Sequence, residues 1–383
     1  MASTSTWPRR LAIVGTGLLG GSVGLAARAA GVPEVVGVDA DHQELRDAYR
    51  LEAVTAKARS VEQAAAGADL VVAATPVRAL AEVLARAHAV NPGAVLSDVG
   101  STKSHLLSQL TSLSTDLGRV IPGHPMAGSE QRGARAARVD LFHGAAWVLT
   151  PAAHVDHTAL RRMTRFVRGL GGRPLILDPE LHDQVVAFAS HLPQLAATAL
   201  MGAVAQVQAP AALRSLVASG FRDTTRIAAS EPDLWVDICA TNSPSIVAAL
   251  DALGQRITLL RELVAAGDRD GLREVLAQAQ SARLHIPTKP GASPRGLREL
   301  VVHVADRPGS LAAVFRILGA AGVNVEDLAI DHELQGGSGN LHIWVAGREG
   351  LATALASLSH AGWTAHEAEG ARINRLSDIE VDL

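Results

Sequence analysis

A glycine-rich turn near the amino terminus constrains the fold more than any other feature of the chain. The segment "RRLAIVGTGLLGGSVGLAARAAG" predicts a buried strand, a tight turn and a helix, with Gly15, Gly17 and Gly20 spaced as G-x-G-x-x-G. The first glycine permits the turn, the second lets the backbone approach a pyrophosphate, and the third lets the helix pack against the strand. The free N–H groups at the start of that helix then face the anion.

The next predicted strand favours NAD as the cofactor. This strand, "EVVGVDA", ends at Asp39, whose carboxylate can accept hydrogen bonds from ribose hydroxyls and would repel a 2′-phosphate. An ordinary glycine-rich turn beside a surface aspartate would not need this ordered context. We therefore expect NAD rather than NADP. The predicted cofactor contacts are Gly15, Thr16, Gly17, Leu18, Leu19, Gly20, Asp39, Thr75 and Pro76.

Strands continue to alternate with helices up to about residue 180. The strands predicted next are "ADLVVAATPV", "GAVLSDVGSTK", "RVIPGHP", "AAWVLTP" and "RPLILD". This order predicts an α/β, Rossmann-type, doubly wound sheet that is mostly parallel, with ligands beyond the carboxyl ends of its strands. Thr75, Ser101 and His124 are expected at such ends. Ser101 is also a candidate N-cap for "STKSHLLSQL", and His124 alone could equally be a turn residue.

After about Glu180 the pattern becomes helical. The apolar segment "PELHDQVVAFASHLPQLAATALMGAVAQVQ" predicts a helix that is buried inside a domain or in a subunit interface. Further on, two more helices are predicted, with a break between them at 267–268. His182 and His191 are nine residues apart, which is half a turn off a shared face. Both can line one pocket only if the helix is interrupted, and Pro193 in "SHLPQ" is expected to kink it. We expect this all-α domain to close over a substrate and to dimerise.

Two arginines in "GFRDTTRIAASEPDLW" leave a choice open. Arg222 and Arg226 are spaced i, i+4 and share a face if the segment is helical. They either pair with Asp223, Glu231 and Asp233 of the same segment, or they bind an anionic substrate.

Composition excludes several classes of protein. The chain has 383 residues, enough for two or three domains, and a net charge of −3 that gives no basis for nucleic-acid binding. Cys239 is the single cysteine, so an intrachain disulfide is excluded and a reducing compartment is expected. The polar amino terminus lacks a signal core, and no apolar run predicts a membrane span. These features together indicate a cytoplasmic protein.

A third domain follows a linker rich in proline and glycine. The segment after "HIPTKPGASPRG" predicts the order βαββα with a possible last strand, and its "DRPGSL" and "AAGVNVEDL" resemble the ACT domain, a ferredoxin-like βαββαβ module that binds amino acids. The resemblance implies feedback sensing with tyrosine as ligand, and the alternative is a module that only dimerises or stabilises. The implied ligand contacts are Asp306, Pro308, Gly309, Ser310 and Asn324.

The ordered motifs "GTGLLGGS", "DVGSTK", "GHPMAGSE", "SHLP" and "FRDTTRIA" resemble the prephenate dehydrogenase family, including its arogenate-using members, over about residues 10 to 285. The resemblance implies an NAD-dependent oxidative decarboxylation of prephenate to 4-hydroxyphenylpyruvate in tyrosine biosynthesis, without a metal. The apolar excess of the helical domain suggests a homodimer. The expected domains are Rossmann at 8–180, helical at 181–285, linker at 286–296, ACT at 297–370 and tail at 371–383.

The resemblance assigns roles to individual residues. His124 matches the catalytic histidine that contacts the ring hydroxyl, Ser101 the serine that orients this hydroxyl, and Arg226 the arginine that binds a substrate carboxylate. The remaining substrate contacts that it implies are Arg222, Glu130, His191 and Gln194.

Gln194 departs from the "SHLPH" of many prephenate-using members, and this departure leaves prephenate and arogenate both open as substrates. Two rival functions are a dehydrogenase for β-hydroxy acids and a catalytically silent amino-acid sensor. The first usually needs a lysine in the helical domain, and residues 180–280 contain none. The second has no use for His124, Ser101 and Arg226.

Overall fold

The computed structural model describes residues 7–113, 115–128, 131–206, 218–284, 297–305, 307–332 and 338–368. The chain divides into two compact units, Met1–Glu262 and Leu263–Leu383. Two predicted ligand contacts, Glu130 and Asp306, lie outside the described residues, as do the predicted linker and tail. The predicted domain boundaries stay predictions.

The first unit begins with a five-stranded parallel sheet in the order β3-β2-β1-β4-β5. Its strands are β1 (Arg10–Val14), β2 (Glu34–Val38), β3 (Ala56–Lys57), β4 (Leu70–Ala73) and β5 (Val95–Asp98). The helices between and after them are α1 (Leu18–Ala29), α2 (His42–Arg50), α3 (Val61–Ala65), α4 (Leu80–Val90) and α5 (Ser104–Ser112). Alternate residues of β1 enter two separate cores, Leu11 in one and Ala12 in the other, so apolar side chains cover both faces of the sheet. This is the doubly wound fold that the sequence predicts.

A second, three-stranded sheet carries His124. It consists of β6 (Gly123–Pro125), β7 (Ala146–Leu149) and β8 (Arg173–Ile176). Helix α6 (His157–Gly169) connects β7 to β8. Strand β6 is antiparallel to β7, and His124 pairs with Val148 in the middle of β6. The prediction that His124 lies beyond the carboxyl end of a parallel strand is therefore wrong. Pro122 explains the difference: it has no N–H to extend a ladder, so Val120 forms only a bridge to Leu96 before the chain joins β7.

A long helical segment follows this sheet. It comprises α7 (Pro179–Val186), a π-helical turn (Ala187–His191) and α8 (Leu192–Val204), and further on come α9 (Ser219–Thr225), a 3₁₀ turn (Arg226–Ala229), α10 (Pro232–Thr241) and α11 (Ser243–Ala266). The stretch Pro179–Val204 is long and apolar enough to cross a membrane by length and composition alone, a test that core helices also pass. Only 28% of its most apolar stretch is buried, and the buried residues of the helix include the polar His182 and His191.

The second unit contains helix α12 (Arg269–Leu284) and a ferredoxin-like βαββαβ domain. The domain has strands β9 (Leu297–Ala305), β10 (Val325–His332), β11 (Ser338–Ala346) and β12 (Ala365–Glu367), and helices α13 (Ser310–Ala320) and α14 (Gly347–His360). The sheet is antiparallel, in the order β10-β11-β9-β12. Leu300, Leu341 and Ile343 form its core with Val314 of α13 and Leu358 of α14. The order of strands and helices is the one that the sequence predicts.

Candidate active site

The glycine turn after β1 has the geometry of a dinucleotide site. Gly15 has a φ of 90°, and a Cβ there would lie 2.4 Å from the Ala74 carbonyl oxygen. A Cβ on Gly20 would lie 1.9 Å from the Gly15 oxygen, whereas a Cβ on Gly17 would meet nothing within 4 Å. Gly15 and Gly20 are thus required by the fold, and Gly17 leaves open space at the N-terminus of α1, where no side chain caps the helix.

Asp39 is held beside this turn. Its Oδ2 accepts hydrogen bonds from the Thr16 amide (2.6 Å) and hydroxyl (3.1 Å), and its Oδ1 accepts one from the Asp41 amide (2.9 Å). The hydroxyl of Thr75, two residues after β4, is buried and has no hydrogen-bond partner within the part of the chain that the structure describes. The open space, uncapped amides, fixed carboxylate and unpaired hydroxyl fit a dinucleotide at the switch point of the sheet.

Contacts from β5 and α5 fix the strand that carries His124. The Gly123 amide donates to Asp98 Oδ1 (3.1 Å), and the Lys103 ammonium donates to the Gly123 carbonyl oxygen (2.8 Å). Lys103 also forms an ion pair with Asp98, and both side chains are fully buried. A Cβ on Gly123 would lie 2.7 Å from Trp147 Nε1 and 2.8 Å from the main-chain carbonyl oxygen of Asp98. Only glycine fits here without displacing β6.

His124 is the first member of a hydrogen-bonded chain of side chains. Its Nδ1 lies 2.9 Å from Nε2 of His182 on α7, and His182 Nδ1 lies 2.8 Å from Asp183 Oδ1. Asp183 Oδ1 and Oδ2 also accept hydrogen bonds from the amides of Lys103 and Ser104, each at 2.9 Å. The carboxylate therefore joins helix α7 to the start of α5, and His182 joins both to β6.

The surroundings favour a neutral imidazole on His124. Burial, reinforced by the charge of Lys103, holds the pKa of His124 well below its usual value of 6.5. Burial alone would raise the pKa of Asp183, but hydrogen bonds from His182 and from the Ser104 and Lys103 amides outweigh it and lower that pKa. At neutral pH the site thus combines an unprotonated imidazole with an ionised carboxylate, as general-base chemistry requires.

Ser101 does not cap helix α5. It lies in the loop three residues after β5 and makes no hydrogen bond within the described ranges, while the helix begins only at Ser104. The Asp183 carboxylate accepts the first amides of α5 in its place. The prediction of an N-cap was wrong because the acceptor comes from a helix 80 residues further along the chain. The side chain of Ser101 is half-buried and remains available to a ligand.

The predicted interruption of the helix is a π-helical turn, Ala187–His191, directly before Pro193, and it brings His191 near Asp183. One extra residue in a turn shifts the following face by about 100°, which removes much of the predicted half-turn offset between His182 and His191. Asn242 Nδ2 lies 3.4 Å from His191 Nδ1 and donates to the Asp183 carbonyl oxygen at 2.8 Å. Burial lowers the pKa of His191 to about 4, so it is neutral at physiological pH.

The other predicted substrate contacts lie on the helical elements around α8. Gln194 is 5% exposed, and its amide lies 3.4 Å from the Ser230 hydroxyl. Arg222 on α9 and Arg226 in the 3₁₀ turn are both exposed, and this turn packs on α8. Glu231, one of the acids offered as their partner, pairs with Arg132, which links the segment after "GHPMAGSE" to the start of α10.

The sequence did not reveal the roles of Asp98, Lys103 and Asn242, although "DVGSTK" contains the first two. The available signal was an aspartate and a lysine close together at the end of an apolar strand. Such residues are seldom fully buried unless they pair with each other, so an ion pair could have been predicted there. Asn242 carried no local signal, since its partners lie more than 50 residues away. Over the described residues, no cluster of three or more histidine, cysteine or acidic side chains is arranged to hold a metal ion.

Comparison with protein families gives three matches along the chain. A family model described as the nucleotide-binding domain of prephenate dehydrogenase matches residues 23–176, and one described as its dimerization domain matches residues 178–278. A model of the ACT domain matches residues 298–349.

Two curated proteins are similar over most of the chain. The cyclohexadienyl dehydrogenase of Zymomonas mobilis is 34% identical over 286 residues, which cover 73% of this chain and 97% of that protein. The prephenate dehydrogenase of Bacillus subtilis is 30% identical over 325 residues, which cover 83% of this chain and 87% of that protein.

Two solved structures share the fold. Prephenate dehydrogenase from A. aeolicus, in complex with hydroxyphenyl propionate and NAD⁺, superposes with a TM-score of 0.68 at 28% identity, over 73% of this chain and 99% of that chain. Synechocystis arogenate dehydrogenase superposes with a TM-score of 0.64 at 27% identity, over 72% and 98% of the two chains.

Proposed function

The chain belongs to the prephenate dehydrogenase family and is an NAD-dependent oxidoreductase, and from this premise we propose that it oxidatively decarboxylates prephenate to 4-hydroxyphenylpyruvate. The observation that carries the proposal is the imidazole of His124, whose surroundings keep it neutral and which hydrogen-bonds to His182. His124 belongs to the same compact unit as the dinucleotide turn. A neutral imidazole is the group that accepts the proton of a ring hydroxyl near pH 7.

The protein supplies a base, an orienting hydroxyl and a carboxylate clamp. Gly17 and Asp39 would hold NAD⁺, which would supply the acceptor for the hydride of the ring carbon that bears the hydroxyl. His124 takes the hydroxyl proton, and Ser101 orients that hydroxyl. Arg226 binds a substrate carboxylate, with Arg222 and Glu130 at the edge of the site, and so fixes which face of the ring meets the cofactor. Carbon dioxide leaves from the opposite ring carbon, and aromatisation drives the reaction.

Arogenate is the second candidate substrate, and Gln194 favours it. The Ser230 hydroxyl has one proton, and it lies closer to the Ile227 carbonyl oxygen (2.7 Å) than to the Gln194 amide (3.4 Å). The Gln194 contact is then best made by its NH₂ group, because amide orientations are assigned from such partners. This orientation leaves the Gln194 carbonyl oxygen as an acceptor for the ammonium group of arogenate.

The test is NADH formation on each substrate. We expect turnover of prephenate, and we expect Gln194→His to raise the ratio of kcat/KM for prephenate over arogenate. Leu192→Met, a volume-conserving change on the same helix, is the control and should leave the ratio unchanged. Absence of NADH formation on both substrates by the wild-type protein would rule out the proposed function, whereas turnover of arogenate alone would select the second candidate.

The chain carries a dimerisation domain and an ACT domain, and we propose that it is a homodimer in the cytoplasm regulated by tyrosine. Apolar side chains exposed on α10 and α11, among them Val236 (64%), Val247 (52%) and Ile257 (56%), support a subunit interface. Sedimentation at micromolar concentration tests the homodimer, and a monomer there would contradict it.

For tyrosine, the supporting feature is the uncapped start of α13. Gly309 has a φ of 93° and no side chain caps the helix, so the amides of Leu311 and Ala312 can meet a carboxylate. Asp306, Pro308, Ser310 and Asn324 stay predicted contacts of that ligand. Asn324 already donates to Glu326. We expect tyrosine to inhibit NADH formation and Leu311→Pro, which removes an amide in the first turn of α13, to weaken this inhibition without changing the rate in its absence. An enzyme insensitive to millimolar tyrosine would leave the domain a structural role.

A further inference from the structure

The hydrogen-bonded chain that runs from His124 through His182 to Asp183 determines which nitrogen of each imidazole carries a proton. Asp183 receives backbone N–H donors from Lys103 and Ser104, and an N–H group can only donate. Both oxygens of its carboxylate therefore act as acceptors. The third contact, at 2.8 Å, comes from Nδ1 of His182, so that nitrogen must carry a proton.

The same reasoning passes along the chain to His124. A neutral His182 that is protonated on Nδ1 has a lone pair on Nε2, and this nitrogen lies 2.9 Å from His124 Nδ1. His124 Nδ1 must then donate. A neutral His124 that is protonated on Nδ1 has its lone pair on Nε2, the nitrogen that makes no hydrogen bond within the described residues. The reactive nitrogen is thus chosen by a carboxylate two side chains away.

We propose that His182 and Asp183 are positioning residues for the oxidation: they hold His124 in the tautomer with an unprotonated Nε2 and stabilise the imidazolium that forms there. The proposal rests on the proposed function. In the step concerned, the O–H bond of the substrate breaks, its proton bonds to Nε2 of His124, and the carbinol C–H electron pair leaves with its hydrogen to NAD⁺. The proton on Nδ1 stays in its hydrogen bond to His182 throughout.

Because His182 and Asp183 are buried, they can position His124 but cannot pass its proton to solvent. The side chains of His182 and Asp183 are 1% and 4% exposed, and backbone amides occupy both oxygens of Asp183. The chain therefore ends inside the protein. A proton taken up by His124 must leave by the side from which it came, after the product has gone.

Three variants separate positioning from structural support. His182→Leu removes the acceptor for His124 Nδ1, and we expect kcat to fall about 10²-fold with KM changed less than about threefold. His182→Gln provides an amide oxygen as acceptor and should recover at least about tenfold of that loss. Thr241→Val is the control, because it breaks the Thr102–Thr241 hydrogen bond (2.9 Å) between the loop before α5 and helix α10. This variant should keep kcat near the wild-type value.

His182→Leu also tests the direction of these hydrogen bonds without relying on turnover. The variant leaves His124 Nδ1 without its acceptor, so His124 is free to adopt the Nε2–H tautomer that neutral imidazole prefers. With ¹⁵N-labelled histidine, the His124 signals, identified by their loss in His124→Asn, should indicate Nδ1–H in the wild type and Nε2–H in His182→Leu. Nε2–H in the wild type, or His182→Leu kinetics equal to those of Thr241→Val, would overturn the proposal. No turnover by a wild type that shows Nδ1–H would instead overturn the proposed function.

Discussion

Lys103 and Asp98 form an ion pair whose two side chains are completely buried, and the same ammonium donates to the carbonyl oxygen of Gly123, the residue before His124. Burial lowers the pKa of Lys103, while the charge of Asp98 opposes that shift. The pair thus positions the strand of the proposed base, His124. The positive charge of Lys103 also helps to lower the pKa of His124 and so to keep this base neutral.

Breaking this ion pair should cost stability. We expect Lys103→Met to lower the free energy of unfolding by about 3–5 kcal/mol, because it leaves the Asp98 carboxylate buried without its partner. Asp98→Asn combined with Lys103→Met removes both charges and should recover part of that loss. Urea denaturation followed by circular dichroism measures both variants. Equal stability of the wild type and Lys103→Met would show that the pair contributes little.

The pH dependence of kcat/KM should report the low pKa of His124. The base acts only when neutral, and because its pKa lies below 6.5, activity should be level above that pH and fall at more acidic pH. Lys103→Met removes the positive charge that helps to lower this pKa, so the pKa of His124 should rise and the acid limb should move to higher pH. An acid limb above pH 6.5 in the wild type would contradict the assignment.

Loss of the imidazole itself should affect turnover far more than binding. We expect His124→Asn to lower kcat by about 10²–10⁴-fold with a small change in KM, as the removal of a general base does. Initial rates of NADH formation, with prephenate varied at saturating NAD⁺, measure both constants. A wild-type kcat in this variant would exclude His124 as the base.

A methyl group at Gly123 should displace β6. A Cβ there would meet Trp147 Nε1 at 2.7 Å, so we expect Gly123→Ala to cost about 1–3 kcal/mol of stability and to lower kcat as His124 moves. Gly169→Ala is the matched control, because a Cβ on Gly169 meets nothing within 4 Å. Thermal unfolding compares the two variants, and a similar Tm for both would mean that the site accommodates the methyl group.

The glycines of the dinucleotide turn should respond differently to the same change. Gly17→Ala meets no protein atom within 4 Å, so we expect an unchanged Tm and a KM for NAD⁺ raised about tenfold or more, since the methyl group occupies the space for the pyrophosphate. Gly20→Ala would contact the Gly15 oxygen and should lower Tm. A Gly17→Ala variant with wild-type KM for NAD⁺ would place the cofactor elsewhere.

Arg226 should matter for substrate binding rather than for turnover. We expect Arg226→Ala to raise KM for prephenate by about 10–100-fold, because a bound carboxylate would lose its charge-assisted partner. Arg226→Lys keeps the charge but not the bidentate geometry and should give an intermediate KM. Circular dichroism serves as the control for folding. If Arg226→Ala leaves KM unchanged, the arginine has a structural role.

Local patterns predicted the parts of the fold that depend on neighbouring residues. The turn with Gly15 and Gly20 is specific because close contacts exclude any Cβ there, and the βαββαβ order of the second unit follows from clear strand and helix periodicity. The break between α11 and α12 at Gly267, which has a φ of 65°, is likewise local.

Contacts between distant residues decided what the sequence could not predict. The cap of α5 comes from Asp183, so the local choice of Ser101 was wrong, and β6 joins β7 because Pro122 interrupts pairing with β5. Burial of His182 and Asp183 was visible only as polar residues on an apolar helix. Their partners, His124 and Lys103, lie 58 and 80 residues away, beyond any periodicity.

The carboxylate cap on α5 separates two events in the maturation of this enzyme. The nucleotide turn is complete once β1, α1, β2 and β4 have formed, since its closest contacts reach Asp39 and Ala74 and no further along the chain. The proton acceptor is complete only after α7 docks and Asp183 reaches the amides of Lys103 and Ser104. We therefore expect a chain that has formed its parallel sheet but not docked α7 to bind the dinucleotide without oxidising a substrate, and we expect heating to abolish catalysis before nucleotide binding.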